Sequence, residues 1–594
     1  MPTDLGVRTE GPLVRPETME VDLLSAPEEA PVPQLEIKEA DLLPVLALVW
    51  EDLGFTEVID EAVRHDAQVG LSPGLVVKAM VLNVLSGRDP LYRVESFFER
   101  VPLEALLGAG VTASQLNDTS LGRHLDRIAE TGGSCIYAGL SLRAIARDGL
   151  SLEQLHGDTT SKLVFGEYRS EAEAEGEVLI TRGHSKDHRP DLKQVMFGIS
   201  TTRDGVPVFG EVLPGNTSDK TWHQNLLKAI QPYLHLPKDR NIVFVGDSAL
   251  ITQDNLDTAA EKNITLVGRL PRTVKACGDL VARAVGQAEA WEQIGAVSPG
   301  KTAARYEAQV FQEVVLGHRI NLAVCRSSEP NERVRKSIER RQRKAVDRAT
   351  QTARDLMRQD FACEADARCA GDSFLTRNQD ALIQIEVRVV AEQRPRKRRS
   401  PGRPPKGEVK HFDTVFRVVI RIVSNDAAAE RARVDENCIV LVHTGKDRVE
   451  ARDILRKYKD QAVVETRFPF LKDPQLADVF FVKTPERLEA LGYVIMIALL
   501  VWSIWERRVR LNLAASGEAG LRDTTGMRKA APTAAVCRHV MRGVKVVRVI
   551  TQQGPSRWRL PEPLSAEQQR VVRFSRSPLT ALPEPRFEKS LLLS

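Results

Sequence analysis

The residues of this sequence best suited to chemistry are three carboxylates in separate segments. Asp158 ends the short predicted strand of "LEQLHGD", and Asp247 follows the apolar run of "NIVFVGD". Glu465 lies in "YKDQAVVETRFPFLK", where Tyr458, Gln461 and Glu465 fall at i, i+3 and i+7 and would share one face of a helix. A tyrosine, an amide and a carboxylate are an unusual set for a core, so this face is a candidate site.

Carboxylates placed in this way indicate phosphodiester chemistry. Each aspartate is expected at the carboxyl end of a strand, the edge where open α/β sheets gather their active sites. A single strand-end aspartate is more often a turn former or a helix cap. Three carboxylates that converge would hold two metal ions about 3.5–4 Å apart, which activate a water and stabilise the leaving oxygen of a phosphodiester. Magnesium ions take such oxygen ligands.

The elements that must position these residues follow from changes in composition and periodicity. These changes divide the chain into a disordered leader at 1–37, a helical domain at 38–150, an α/β sheet domain at 151–274, a mixed segment at 275–440, a mainly helical segment at 441–520, and a tail at 521–594. The leader is rich in Pro and Glu and lacks periodicity. The helical domain fits a plain packing bundle and a DNA-binding domain equally well.

Composition excludes several classes of protein. The seven cysteines form no Cys-x2-Cys pair, and their odd number argues against a disulfide framework or a zinc site and for a reducing compartment. The N-terminus is not a signal peptide. The uncharged run at 490–505 is 16 residues long, which is shorter than the roughly 20 that a membrane span needs. We therefore expect a buried core helix there, a cytoplasmic protein and no membrane partner.

Taken together, these motifs resemble the DDE transposases of bacterial insertion sequences, in the group with a Tyr-x2-Arg-x3-Glu-x6-Lys signature. At that spacing this sequence has Tyr458, Gln461, Glu465 and Lys472. "HGDTTS" and "FVGDSALIT" are similar to the two aspartate motifs of the family, and the segments between and after them match in the same order. The resemblance covers roughly residues 150–510.

The resemblance implies an α/β fold in which an RNase H-like catalytic core is interrupted by a mixed, largely β insertion domain. Asp158, Asp247 and Glu465 would be the catalytic residues and the ligands of two Mg²⁺ ions, with Mn²⁺ as an alternative. The implied activity is cut-and-paste transposition by strand cleavage and strand transfer. The implied partners are double-stranded DNA, as terminal inverted repeats and as target, and a second copy of the chain in a homodimer assembled on DNA ends in the bacterial nucleoid.

The same resemblance implies that Tyr458, Gln461 and Lys472 contact DNA, and the sequence departs from the signature near them. Gln461 stands where the signature has an arginine, so a cation expected near the DNA backbone is missing. Pro469 falls inside the final spacer and should end or kink the helix, so Lys472 need not share the face of Glu465.

Basic residues concentrate in two further places. Residues 331–358 carry ten Lys or Arg against four acids on a helical pattern, and "RPRKRRSPGRPPK" at 394–406 carries seven basic residues and no acid. Neutralising DNA phosphates would give such segments salt-sensitive affinity. For the second segment we predict that DNA is contacted by Arg398, Arg399, Arg403 and Lys406, while a solvated basic loop stays an equal alternative.

Other functions remain to be weighed. "GAVSPGKT" at 295–302 fits a phosphate-binding loop, but that motif needs a strand before it and a helix after it, and here the pattern is inverted. An RNase H-like nuclease without strand transfer is the closest alternative enzyme. A transposase-derived DNA-binding protein that has lost catalysis is the alternative outside enzymes, and Gln461 is its best support.

Overall fold

The structure is a computed structural model of the 594-residue chain. It describes residues 34–65, 70–87, 89–166, 168, 178–184, 189–297, 303–327, 331–396, 411–473, 482, 484–551 and 554–577.

The nineteen α-helices of these described residues are α1 Leu43–Leu53, α2 Phe55–Ala62, α3 Pro73–Leu85, α4 Val94–Arg100, α5 Leu103–Leu107, α6 Asp118–Thr131, α7 Gly133–Asp148, α8 Asp219–Tyr233, α9 Gln253–Glu261, α10 Lys275–Gly286, α11 Glu332–Met357, α12 Glu364–Arg377, α13 Asp426–Asn437, α14 Ala451–Lys459, α15 Ala462–Glu465, α16 Phe468–Lys472, α17 Pro485–Ser516, α18 Ala534–Met541 and α19 Ala566–Phe574. The strands are β1 Gln34–Glu39, β2 Gln154–Val164, β3 Lys193–Thr202, β4 Pro207–Pro214, β5 Ile242–Val245, β6 Ile264–Arg269, β7 Glu292–Ala296, β8 Arg305–Val315, β9 His318–Ser327, β10 Ile383–Pro395, β11 Phe412–Ser424, β12 Cys438–His443, β13 Leu521–Arg522, β14 Arg528–Lys529, β15 Lys545–Thr551 and β16 Gly554–Pro555.

The centre of the molecule is a nine-stranded sheet in the order β4-β3-β2-β5-β6-β12-β9-β8-β7. In its first part β2, β5 and β6 are parallel, and β3 is antiparallel to β2 and β4 on either side. The predicted Asp-Gly turn joins β3 to β4, with Gly205 at a φ of 80° that favours glycine. This is the strand order expected of an RNase H-like core, and the predicted mixed α/β fold is confirmed.

The sheet continues into the segment predicted to be the insertion domain. β12, β9, β8 and β7 extend it beyond β6 as antiparallel neighbours. β7 and β8 form a hairpin around the phosphate-loop-like motif, so a strand and not a helix follows that motif. Between β9 and β12 the described chain forms a separate lobe of three helices and the β10–β11 hairpin, in which α11 and α12 pack against the hairpin.

The apolar run of the sequence lies in α17, which is the central core helix. Of the described helices, α17 is the one long and apolar enough to cross a membrane, yet 89% of its apolar stretch is buried inside the protein. It packs against α3, α6 and α7 of the N-terminal helical domain and against β4 of the sheet. The prediction of a buried core helix is therefore confirmed.

The two ends of the described chain differ from the sequence-based expectation. Residues 34–37, assigned to the disordered leader, belong to β1, which pairs along its whole length with β15. The segment after residue 520, which has no clear signal in sequence, contributes α18 and α19, and both pack on α17. Residues 1–33 lie outside the described part of the chain.

Candidate active site

The two aspartates lie on neighbouring parallel strands. β2 and β5 are in register, with His156 opposite Val245, and Asp158 and Asp247 each follow two residues later. Adjacent strands lie about 4.8 Å apart, so the two aspartates occupy neighbouring places at one edge of the β2–β5 pair. Asp158 does not end its strand, as the sequence suggested, because β2 continues to Val164 along β3 after β5 has ended.

Asp158 faces the helices that follow β12. Side chains alternate between the faces of a strand, so Asp158 and Lys162 point to the same side of the sheet. Lys162 Nζ donates to the carbonyl oxygen of Asp473 at 2.8 Å, just after α16. Thr159 points to the other side, where its hydroxyl donates to Asp219 in α8. The carboxylate of Asp158 is thus on the face covered by α15 and α16.

Tyr458 brings Asp247 and Glu465 into one neighbourhood. It lies half-buried near the end of α14, and burial is the main cause of the raised pKa of its phenol. Arg269 opposes that rise in pKa, whereas the negative charges of Asp247 and Glu465 add to it. The phenol therefore lies within the electrostatic reach of one cation and two of the three predicted catalytic carboxylates.

The predicted common helix face is wrong. α14 ends at Lys459 and α15 spans only Ala462–Glu465, so Tyr458 and Glu465 lie on separate helices. Pro469 occupies the first turn of another short helix, α16, as its ring requires. Lys472 ends α16, partly exposed, and so belongs to a different helix from Glu465, as Pro469 predicted.

Gln461 does not face DNA. Its side chain is 6% exposed, and its Nε2 donates to the carbonyl oxygen of Gly157 in β2 at 3.1 Å. A phosphate cannot reach a buried amide that already bonds the strand, so the prediction that Gln461 contacts DNA is wrong. The interaction instead attaches the segment that carries Glu465 to the residue next to Asp158.

A second buried contact fixes the other side of Glu465. Arg467 is 5% exposed, and its Nη2 lies 2.9 Å from Glu506 Oε1 in α17. Glu506 also accepts from the backbone N–H of Ala534 and pairs with Arg510. Since α15 and α16 are too short to be stable alone, these contacts hold Glu465 at an exposed position between two anchors.

Two residues near the site were missed by the sequence analysis. His223, fully buried in α8, places its Nε2 3.5 Å from Asp247 Oδ1, and the same oxygen accepts from the backbone N–H of Ala249 at 2.9 Å. Arg269 is the last residue of β6, the strand next to β5. In the sheet it lies opposite Leu441 of β12, and the side chain of Leu441 packs against α14. The sequence could have indicated Arg269, because it stands at the end of "ITLVGR". That segment forms a strand parallel to β5, which leads to Asp247.

The donor set suits hard divalent cations, which take carboxylate oxygens and keep water in their shell. The Asp247 side chain is 43% exposed and Glu465 is exposed, so both are available to a metal. The described residues contain no group of three His, Cys, Asp or Glu side chains already close enough to hold one. The predicted DNA contacts at Arg398, Arg399, Arg403 and Lys406 lie outside the described residues.

Neighbouring carboxylates on an RNase H-like sheet, with a third on a helix across its face, are an arrangement suited to chemistry on nucleic-acid phosphodiesters. Residues 182–501, more than half of the chain, match the family model described as "Transposase DDE domain", and the chain belongs to that family. The matched segment includes Asp247 and Glu465, and Asp158 precedes it. It follows that the protein is a metal-dependent, DNA-binding transposase.

The other comparisons add less. Residues 35–142, in the N-terminal helical domain, match a "Domain of unknown function (DUF4277)". Among solved structures, the chain is similar to a piggyBac transposase in its synaptic complex with hairpin DNA, at 9% identity and a TM-score of 0.36, covering 92% of this chain and 84% of that one. A likeness of that size carries no argument about function. The comparison with curated proteins gives no match.

Proposed function

We propose that this transposase moves a bacterial insertion sequence by a cut-and-paste route, with Asp158, Asp247 and Glu465 as its catalytic residues. The observation that carries the proposal is the arrangement of these carboxylates. Asp158 and Asp247 neighbour each other across two parallel strands, and Asp247 and Glu465 both act on Tyr458. The protein would work as a homodimer on paired DNA ends in the bacterial cytoplasm.

In this proposal the three carboxylates hold two Mg²⁺ ions, which activate a water and stabilise the leaving oxygen when they are bound. The N–H of Ala249 orients the carboxylate of Asp247, and the ring of His223 lies beside it. Tyr458 is protonated at neutral pH, as an ordinary phenol is, and its raised pKa keeps it so at higher pH. Its hydroxyl can therefore donate to a phosphate oxygen. Arg269 supplies a fixed positive charge at the same edge, in the role that Gln461 cannot fill.

Loss of any one carboxylate should nearly abolish cleavage, because ligands of one metal pair act as a unit. We expect Asp158→Asn, Asp247→Asn and Glu465→Gln each to lower the cleavage rate about 1,000-fold or more, with DNA binding kept. The assay uses a duplex that carries the inverted repeats flanking the gene, with Mg²⁺ and with chelator. The control is Asp254→Asn, an exposed carboxylate in α9. Near-normal cleavage by a folded variant would remove that residue from the site.

A target plasmid in the same reaction separates transposition from plain nuclease activity. The freed 3′ hydroxyl should become joined to the plasmid, since cleavage and joining are both in-line displacements at phosphorus and one site can serve both. Cleavage without joined product would favour the nuclease. Neither product, with terminal-repeat binding intact, would favour a DNA-binding protein that has lost catalysis.

A further inference from the structure

The lobe between β9 and β12 exposes one face of α11 to solvent. On the opposite face, Ile338, Ala345, Ala349 and Ala353 are buried against the β10–β11 hairpin and α13. These residues recur at helical spacing, so the side of α11 turned away from them has no covering element within the described chain. The exposed side belongs to a helix of 26 residues.

The exposed face is strongly basic in the first half of α11. Five exposed cations share an arc about 100° wide, and they are Arg333, Lys336, Arg340, Arg343 and Lys344. We call these five residues the basic stripe. From Arg333 to Lys344 the stripe is about 16 Å long, close to half a turn of duplex DNA.

The acids of the lobe leave the stripe largely unneutralised. In the first half of α11, Glu332 and Glu339 are ion-paired to Arg335, which lies outside the stripe. Lys336 approaches Glu332 only at 3.8 Å. For Arg333, Arg340, Arg343 and Lys344, the described residues supply no ion-pair partner, and the next acid on this face is Asp347. The stripe is therefore a concentration of positive charge rather than a salt-bridged surface.

The lobe is attached to the sheet at the edge where Asp247 and Arg269 lie. β12 is antiparallel to both β6 and β9, so the end of β9 and the start of β12 lie at the edge where β6 ends in Arg269. The chain leaves the sheet for α11 and returns from α13 at that edge. Arg272 donates to the carbonyl oxygens of Glu436 and Cys438 there, and Arg341 Nη1 bonds Glu436 Oε1 at 2.5 Å. The first half of α11 is thus tied to α13 beside the candidate active site.

We propose that the basic stripe is a second DNA-contact surface, which binds the phosphates of the duplex flanking the bond to be cut. The partner is duplex DNA because a line of Arg and Lys residues that acids leave largely unneutralised complements two rows of phosphates and carries no apolar anchor for a protein. The proposal rests on the proposed function for the nature of the reaction, whereas duplex binding by the stripe can be measured without catalysis.

The test measures the affinity of the full-length protein for a labelled 40-base-pair duplex of arbitrary sequence, as a function of salt. The variant is Arg333→Gln/Arg340→Gln/Arg343→Gln. Each lost phosphate contact should flatten the slope of log affinity against log salt by about 0.9, or roughly 2.7 for three. The matched control is Arg335→Gln/Arg368→Gln/Arg433→Gln, which removes the same charge from side chains of the same lobe that are ion-paired to its own acids. Its slope should stay near that of the unaltered protein.

Equal slopes for the two triple variants would overturn the proposal, because net charge alone would then explain the affinity. Melting curves of both variants confirm that the lobe is folded. Asp247→Asn separates the two proposals, since it should lose cleavage and keep the salt slope. If the unaltered protein does not cut repeat DNA and the stripe variant still flattens the slope, the proposed function fails and the DNA surface stands.

Discussion

At the residue scale, Gln461 links the segment that carries Glu465 to the strand that carries Asp158. An arginine at this position, as in the family signature, would have to reach solvent, whereas this side chain is buried and bonded to Gly157. The substitution therefore changes the role of the position from contacting DNA to joining two parts of the site. Arg269 is a cation whose charge acts on Tyr458, so loss of the signature arginine does not leave the site without positive charge.

We predict that Gln461→Arg destabilises the protein and does not strengthen DNA binding. The change buries a charge without a partner against β2, at an expected cost of several kcal/mol in the free energy of unfolding. Gln461→Glu is the size-matched control, because it too buries a charge without the bulk of arginine. Urea unfolding and duplex binding of both variants give the answer. A Gln461→Arg variant of normal stability that binds DNA more tightly would restore the DNA-facing role.

At the scale of elements, α15 and α16 depend on α17 for their position. Both are held to it through the Arg467–Glu506 pair, and α17 in turn begins at Pro485, with Thr484 as its N-cap. The first turns of α17 also contain Glu489, whose pKa is raised to about 7, mainly by burial and further by the charge of Glu486. This start of the helix is therefore a place where stability responds to pH.

We predict that Glu489 makes the protein less stable as the pH rises from about 4.5 to above 7. The folded state holds the Glu489 proton more tightly than the unfolded state, whose pKa is near 4.5, so deprotonation favours unfolding. Glu489→Gln should therefore raise the free energy of unfolding by about 1–3 kcal/mol at pH 8 and leave it unchanged at pH 4. Glu486→Gln, at the exposed neighbouring residue, should give a smaller effect. If Glu489→Gln raised the free energy of unfolding by the same amount at pH 4 as at pH 8, the prediction would be contradicted.

At the scale of the whole molecule, one arginine joins three distant parts of the chain. Arg508 of α17 is fully buried and forms two 2.9 Å bonds to Asp148 at the end of α7. Its Nη1 also contacts Asp52 of α1 at 3.1 Å and the carbonyl oxygen of Ser575 after α19. The N-terminal helical domain, the core helix and the C-terminal region are thus held at a single guanidinium.

We predict that Arg508→Met lowers the free energy of unfolding by about 3–5 kcal/mol, because it leaves the buried carboxylate of Asp148 without its partner. The control is Arg487→Met on the same helix. Its pair with Asp126 has similar geometry, but the two side chains are 35% and 42% exposed, so its loss should cost about 1 kcal/mol or less. Denaturant unfolding of both variants measures the difference. Equal losses would mean that burial adds nothing to the contact at Arg508.

The sequence by itself determined what depends on short-range pattern. The strand before Asp247 follows from a continuous apolar run, the Asp204–Gly205 turn from its residue types, and the basic helix α11 from its spacing. The core position of α17 followed from its length and lack of charge. The three carboxylates made a two-metal phosphodiester site a hypothesis. The order of the motifs around them, through its resemblance to the transposase family, indicated the class of enzyme.

Only the tertiary structure decided which of these residues face one another. The i, i+3, i+7 spacing of Tyr458, Gln461 and Glu465 assumes an unbroken helix, and the chain breaks at Asp460 and Gln461, where the amide bonds a strand 304 residues earlier in sequence. The pairing of β1 with β15, and the extension of the core sheet by β7–β9, likewise join segments far apart in the chain. Such contacts depend on which buried surfaces meet when the whole chain folds. Local periodicity shows that a segment has an apolar face, and it does not show which other segment packs against that face.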